Sequence, residues 1–175
     1  MRQRLASQWL KLLAASICSY VALHAHAVEP AQFNGGEAER YLSELKSRYG
    51  LSGEREALLA HGNGLLDRYA LRVAYQVGVA NPQDLSYRLS VGESGELQVR
   101  EEVRGPGNGI AVHNRNLSVF GLDPYLSYRC PPQGRVCIID SPADGTPLVT
   151  VLRDPAGAEE LAKALSFLIR NLQKG

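Results

Sequence analysis

The stretch that decides the fold runs Leu85-Ser-Tyr-Arg-Leu-Ser-Val91, turns at Gly92-Glu-Ser-Gly95, and continues Glu96-Leu-Gln-Val-Arg-Glu-Glu-Val103. Leu85, Tyr87, Leu89 and Val91 alternate with Ser86, Arg88 and Ser90. After the turn, Leu97, Val99 and Val103 alternate with Gln98, Arg100 and Glu102. Successive strand side chains point to opposite faces, so this pattern is an antiparallel hairpin with one face buried and one wet.

Toward the C-terminus, Gly105-Pro-Gly-Asn-Gly109 leads to a strand around Ile110 to His113, with Leu117 to Phe120 continuing or re-forming it. Leu126 to Cys130 and Val136 to Asp140 form a second hairpin, and Leu148 to Leu152 a last strand. The chain closes with a helix. Asp154 is its N-cap and Pro155 its first residue, where a missing N–H costs nothing. Leu161, Ala164, Leu165, Leu168, Ile169 and Leu172 make its apolar stripe, opposite Glu159, Lys163, Ser166, Arg170 and Gln173.

Toward the N-terminus, residues 65–79 fit two periods. Leu66, Tyr69, Val73 and Val77 fit a helix face, whereas Leu71, Val73, Tyr75, Val77 and Val79 alternate strictly. Their β-branched and aromatic content favours a strand from about Tyr69. Before it, two helices are expected. One runs from Glu37 with Tyr41, Leu42, Leu45 and Tyr49 on one face and ends at Gly50; the other starts at Ser52 as N-cap and stops at Gly62-Asn63-Gly64. The order of helices, strands and closing helix is that of an α+β protein. The expectation is a curved antiparallel sheet of about five to seven strands packed by N-terminal helices and a C-terminal amphipathic helix. It occupies one domain over residues 37–175, after a flexible lead at 28–36.

Residues 1–27 read as a cleavable secretory signal peptide. Arg2, Arg4 and Lys11 precede the apolar run Leu12 to Leu23, and Ala25-His26-Ala27 supplies small residues at the cleavage point. A spanning helix needs about 20 apolar residues, and this run is too short. Cys18 lies inside the run behind Ala15 and Ile17, which is not the pattern of a lipidation site. Loss of the leader removes three of 19 basic residues and leaves 16 against 18 acidic, a net charge of −2. That balance offers no bulk attraction to nucleic acid. The expected location is periplasmic or secreted, with no stable membrane anchor after cleavage.

Cleavage also leaves two cysteines, Cys130 and Cys137, separated by Pro-Pro-Gln-Gly-Arg-Val. In an oxidising compartment such a pair is a disulfide first, here tying the base of a hairpin loop. A metal site needs more ligands, and a redox pair is normally Cys-x-x-Cys.

No catalytic constellation stands out, and no metal or cofactor is called for. Gly105-Pro-Gly-Asn-Gly109 is followed by a strand in place of a helix and lacks the lysine of a phosphate loop. His61 and His113 are the only imidazoles beyond residue 27, and surface or helix-end roles are favoured for both. Leu-Ser-Tyr-Arg recurs at 85–88 and 126–129; coincidence explains it better than duplication, and it places Tyr87 and Tyr128 inward. Asn116-Leu-Ser118 fits a glycosylation sequon. The favoured function is a non-catalytic binding module with an unknown protein or small-molecule partner. Its candidate loops are 61–64, 105–109 and 131–135, since loops carry function more often than scaffold. The candidate binding residues are Arg104, Asn108, His113, Arg115, Tyr125 and Arg135. The alternatives are a small hydrolase using His113 or His61, and a carrier with an apolar ligand between sheet and closing helix.

Overall fold

The computed structural model describes residues 35–175 except Ser94, Pro106 and Asn108. The expected signal peptide, residues 28–34 of the expected 28–36 lead and the candidate Asn108 therefore lie outside the described residues, while Gly35 and Gly36 of that lead belong to the first helix. The elements are α1 (Gly35–Tyr49), α2 (Glu54–Arg68), a 3₁₀ turn (Val73–Tyr75), β1 (Asp84–Val91), β2 (Glu96–Arg104), β3 (Ile110–Ser118), β4 (Tyr128–Arg129), β5 (Val136–Asp140), β6 (Pro147–Leu152) and α3 (Pro155–Gln173).

The α+β class holds, but the strands form two antiparallel sheets of three, β1-β2-β3 and β4-β5-β6, in place of one curved sheet. The break comes after β3, where the chain leaves its partner. The Val119 amide makes the last bond, to the Gly95 carbonyl, and Gly121 turns with φ of 80°. The Leu126 amide is then taken by the Ser166 hydroxyl of α3, so β4 is only two residues long. The first hairpin pairs as its alternation requires, Leu89 opposite Val99 and Val91 opposite Leu97. β3 runs unbroken from Ile110 to Ser118.

The expected strand over 69–79 is absent. Leu71 forms one antiparallel bridge with Leu85 through both of its backbone groups. The Asp84 carboxylate then captures the Val73 amide at 2.7 Å and turns the chain into the 3₁₀ segment. A side-chain acceptor has replaced a ladder partner, which is how Asp diverts backbone from sheet.

Helix α2 begins after Gly53, not Ser52, and runs through the expected breaker at Gly62-Asn63-Gly64. Tertiary contacts outweigh the poor propensity there. A Cβ on Gly62 would lie 3.0 Å from Leu89 Cδ1, so the absent side chain lets α2 approach β1. Asn63 completes the junction, donating to the Leu89 carbonyl at 3.0 Å and accepting from the Leu89 amide at 2.8 Å. The candidate loop 61–64 is thus part of helix α2, with His61 and Gly62 buried.

Helix α3 follows its sequence pattern closely. The Asp154 carboxylate accepts from the Gly157 amide at 2.8 Å, a cap worth about 1 kcal/mol. Every residue of the expected stripe is buried. Ser166, expected on the wet side, is buried too: it donates to the Ala162 carbonyl and accepts from Leu126. Leu161, Leu165, Leu168 and Leu172 fill the space between α3 and the sheets with Leu97, Val99, Ile139 and Val149. Those side chains occupy the place a carried apolar ligand would need. At the other end of the chain, Gly50 closes α1 with φ of 64° while the Leu51 amide reaches back to the Lys46 carbonyl.

Candidate functional site

Three groups of polar or exposed side chains stand out. The first is buried. His61 of α2 is 3% exposed, against the expectation of a surface or helix-end position. Its Nε2 lies 2.8 Å from Glu160 Oε1 and its Nδ1 lies 3.0 Å from the Tyr49 hydroxyl. A carboxylate only accepts, so Nε2 carries a proton and donates to Glu160; with that tautomer of a neutral ring, Nδ1 accepts from Tyr49. Tyr41 donates to the same Glu160 oxygen at 3.0 Å, packs on Phe167, and lies under the Lys163 ammonium at 4.3 Å. Burial alone would raise the Glu160 carboxyl, but hydrogen bonds from His61 and Tyr41 and the nearby positive charges more than offset it, holding it below its ordinary value. Burial and the same carboxylate raise Tyr41 well above the usual phenol range. The cluster ties α1 and α2 to α3.

The second group is a row across the first sheet. Tyr87, Glu101 and His113 are direct cross-strand partners on β1, β2 and β3. Tyr87 donates to Glu101 Oε1 at 2.7 Å, and His113 Nδ1 lies 3.1 Å from Oε2. Burial and then the Glu101 contact raise the Tyr87 hydroxyl. The row marks where the sheet leaves the core, because the same face is apolar at Leu97 and Leu117 and polar at Glu101 and His113. Arg115, two residues beyond His113, donates to the Pro147 carbonyl at 2.6 Å and so joins the two sheets. Asn116 of the sequon is exposed on the same strand.

The third group is a cleft of about 390 Å³ lined by Ala74, Tyr75, Val77, Gly134, Arg135, Leu152 and Arg153. One wall is the loop closed by the Cys130–Cys137 disulfide. Arg153 fastens that loop with bonds to the carbonyls of Cys130, Pro131 and Gly134. The other wall is the segment diverted by Asp84, and Arg135 reaches its Tyr75 carbonyl at 3.4 Å. Val73, Tyr75, Val77 and Val79 on this segment are 43%, 52%, 72% and 46% exposed. A second concavity, along Arg40, Ser43, Glu44, Ser47 and Arg48, is lined by α1 alone.

Of the candidate residues, His113 and Arg115 come together on one face of β3. Arg104 is exposed at the far end of β2, opposite Ile110. Tyr125 sits in the connection after β3, its amide held by Asp123, and Arg135 lines the cleft. Sequence reasoning missed Tyr75, Val77, Arg153 and Glu160. The alternation of 73–79 did mark Tyr75 and Val77, but as inward strand positions. Both imidazoles have a carboxylate within hydrogen-bond reach, as a hydrolase would need, yet neither lines the cleft. Among the described residues, no three His, Cys, Asp or Glu side chains gather as metal ligands, and no helix is long and apolar enough to cross a membrane. Comparison with family models, with characterised proteins and with solved structures gives no significant match.

Proposed function

We propose that this chain is an exported binding module, with residues 1–27 as its cleaved leader and the cleft beside the disulfide-tied loop as its recognition surface. The observation that carries the reading is the run of exposed apolar side chains at Val73, Tyr75, Val77 and Val79 against Arg135. Contiguous apolar surface left in water marks an interaction site more often than chance exposure does. The Cys130–Cys137 bond supports an oxidising destination.

Expression of the full sequence in a secreting host, followed by intact-mass measurement, tests the export half. The expected species lacks residues 1–27 and is two hydrogens lighter than its reduced form. A full-length, reduced chain retained in the cytosol overturns it. Alanine or serine replacement at Tyr75 and Val77 tests the surface, since these positions carry little of the core and their loss leaves thermal stability nearly unchanged.

A further inference from the structure

We infer that the 72–79 segment docks the protein onto an anionic lipid surface, an inference that rests on the cleft being the recognition surface. The segment is built as a presented tip. The Val79 amide bonds the Gln76 carbonyl at 3.1 Å and Gly78 has φ of 84°, so Gln76 to Val79 form a turn with glycine at its third position. This puts Val77 at the second position of the turn, where it is 72% exposed.

The neck of the loop is clamped. Gln76 Nε2 donates to the Gln83 carbonyl, the Gln83 amide returns a bond to Gln76 Oε1 at 3.3 Å, and Asp84 holds the Val73 amide. A tip fixed in this way loses little conformational freedom on binding. The exposed Arg135 and Arg153 line the cleft beside it, the exposed Arg72 opens the 3₁₀ turn, and the cleft lining contains no carboxylate. A net charge of −2 for the chain beyond residue 27 makes this cationic rim a local feature.

Apolar tip, amphipathic Tyr75 and arginine rim match the three layers of a bilayer surface: acyl boundary, interface and anionic headgroups. The charge complementarity favours this occupant over an apolar protein face, which would have no use for the arginines.

The test is co-sedimentation of the secreted, disulfide-bonded protein with vesicles of phosphatidylcholine alone or with phosphatidylglycerol. Binding to the anionic vesicles is expected, weakening with salt, abolished by Val77→Asp, and reduced about tenfold or more by Arg72→Gln with Arg135→Gln. Thermal melts of each variant matching the parent show that the fold is intact. No binding to anionic vesicles, or binding that Val77→Asp leaves unchanged, overturns the inference. In either case a cleaved, oxidised mass still supports export, whereas an uncleaved cytosolic chain is the failure of the export reading itself. Loss of function in cells at Tyr75→Ser without any vesicle binding would keep the cleft as a recognition surface and assign it a protein partner instead.

Discussion

The imidazole of His61 meets the carboxylate of Glu160 at 2.8 Å across 99 residues of sequence, and this contact joins the second helix to the last. His61 is almost wholly enclosed, while Glu160 keeps part of its carboxylate toward water. Replacing His61 by Leu fills the space but leaves Tyr49 and Glu160 without their partner. The expected cost is about 1–3 kcal/mol, seen as a lower urea midpoint with an unchanged slope. Tyr49→Phe removes only one of the two bonds and should cost less, about 0.5–1.5 kcal/mol.

Acid should weaken the fold through Glu160. Its carboxyl sits below the ordinary value of 4.5 in the folded chain, so the unfolded chain binds the proton more readily. The stabilisation is complete above pH 4.5 and is lost as pH falls through the lower folded value. Alkali acts through Tyr41 and Tyr87, whose folded hydroxyls are raised above 10.0. Their contribution is complete below pH 10 and is lost as pH rises beyond it. Thermal melts across pH 2–12 should show both edges, and Glu160→Gln should flatten the acid one.

Asn63→Ala sets two effects against each other. Alanine is the better helix former by about 0.7 kcal/mol or less. The substitution also strips both hydrogen bonds from the backbone of Leu89, a buried strand residue. The second effect should win, with a net loss of about 1–3 kcal/mol, measured by chemical unfolding. A stabilised variant would mean that water replaces the asparagine at this junction.

Removing the Cys130–Cys137 bond by a double serine substitution should cost about 2–3 kcal/mol, the chain-entropy value for so short a loop. Cys137 of β5 is fully buried, so serine there adds an unpaired hydroxyl to that cost. Differential scanning calorimetry with and without reductant separates the two contributions.

Period-two and helical patterns were legible wherever one face met the core. The β1–β2 hairpin, the β5 and β6 strands, the capped final helix, the glycine-ended α1 and the disulfide all follow from local chemistry. The failures share a cause. Residues 73–79 have the composition of a strand, but the Asp84 side chain, eleven residues on from Val73, takes the bond a neighbouring strand would make. Gly62-Asn63-Gly64 has the composition of a loop, but its small residues allow β1 to approach and its asparagine bonds that strand. One sheet gives way to two where the chain leaves β2 after Val119 and the Leu126 amide bonds Ser166 of α3, forty residues on. Each outcome depends on a partner distant in sequence, which periodicity cannot register. The same holds for the candidate residues: Arg135 was found through its proline- and glycine-rich loop, while Tyr75 and Arg153 joined it only through the folded chain.

The two sheets share no strand, and α3 lies against both. Helix α3 follows all six strands in chain order. The first sheet can pack on α2 as soon as β1 has formed, whereas the second sheet finds its main helix contacts in α3. Leu161 to Leu172 therefore act as the latch that closes one core over both sheets.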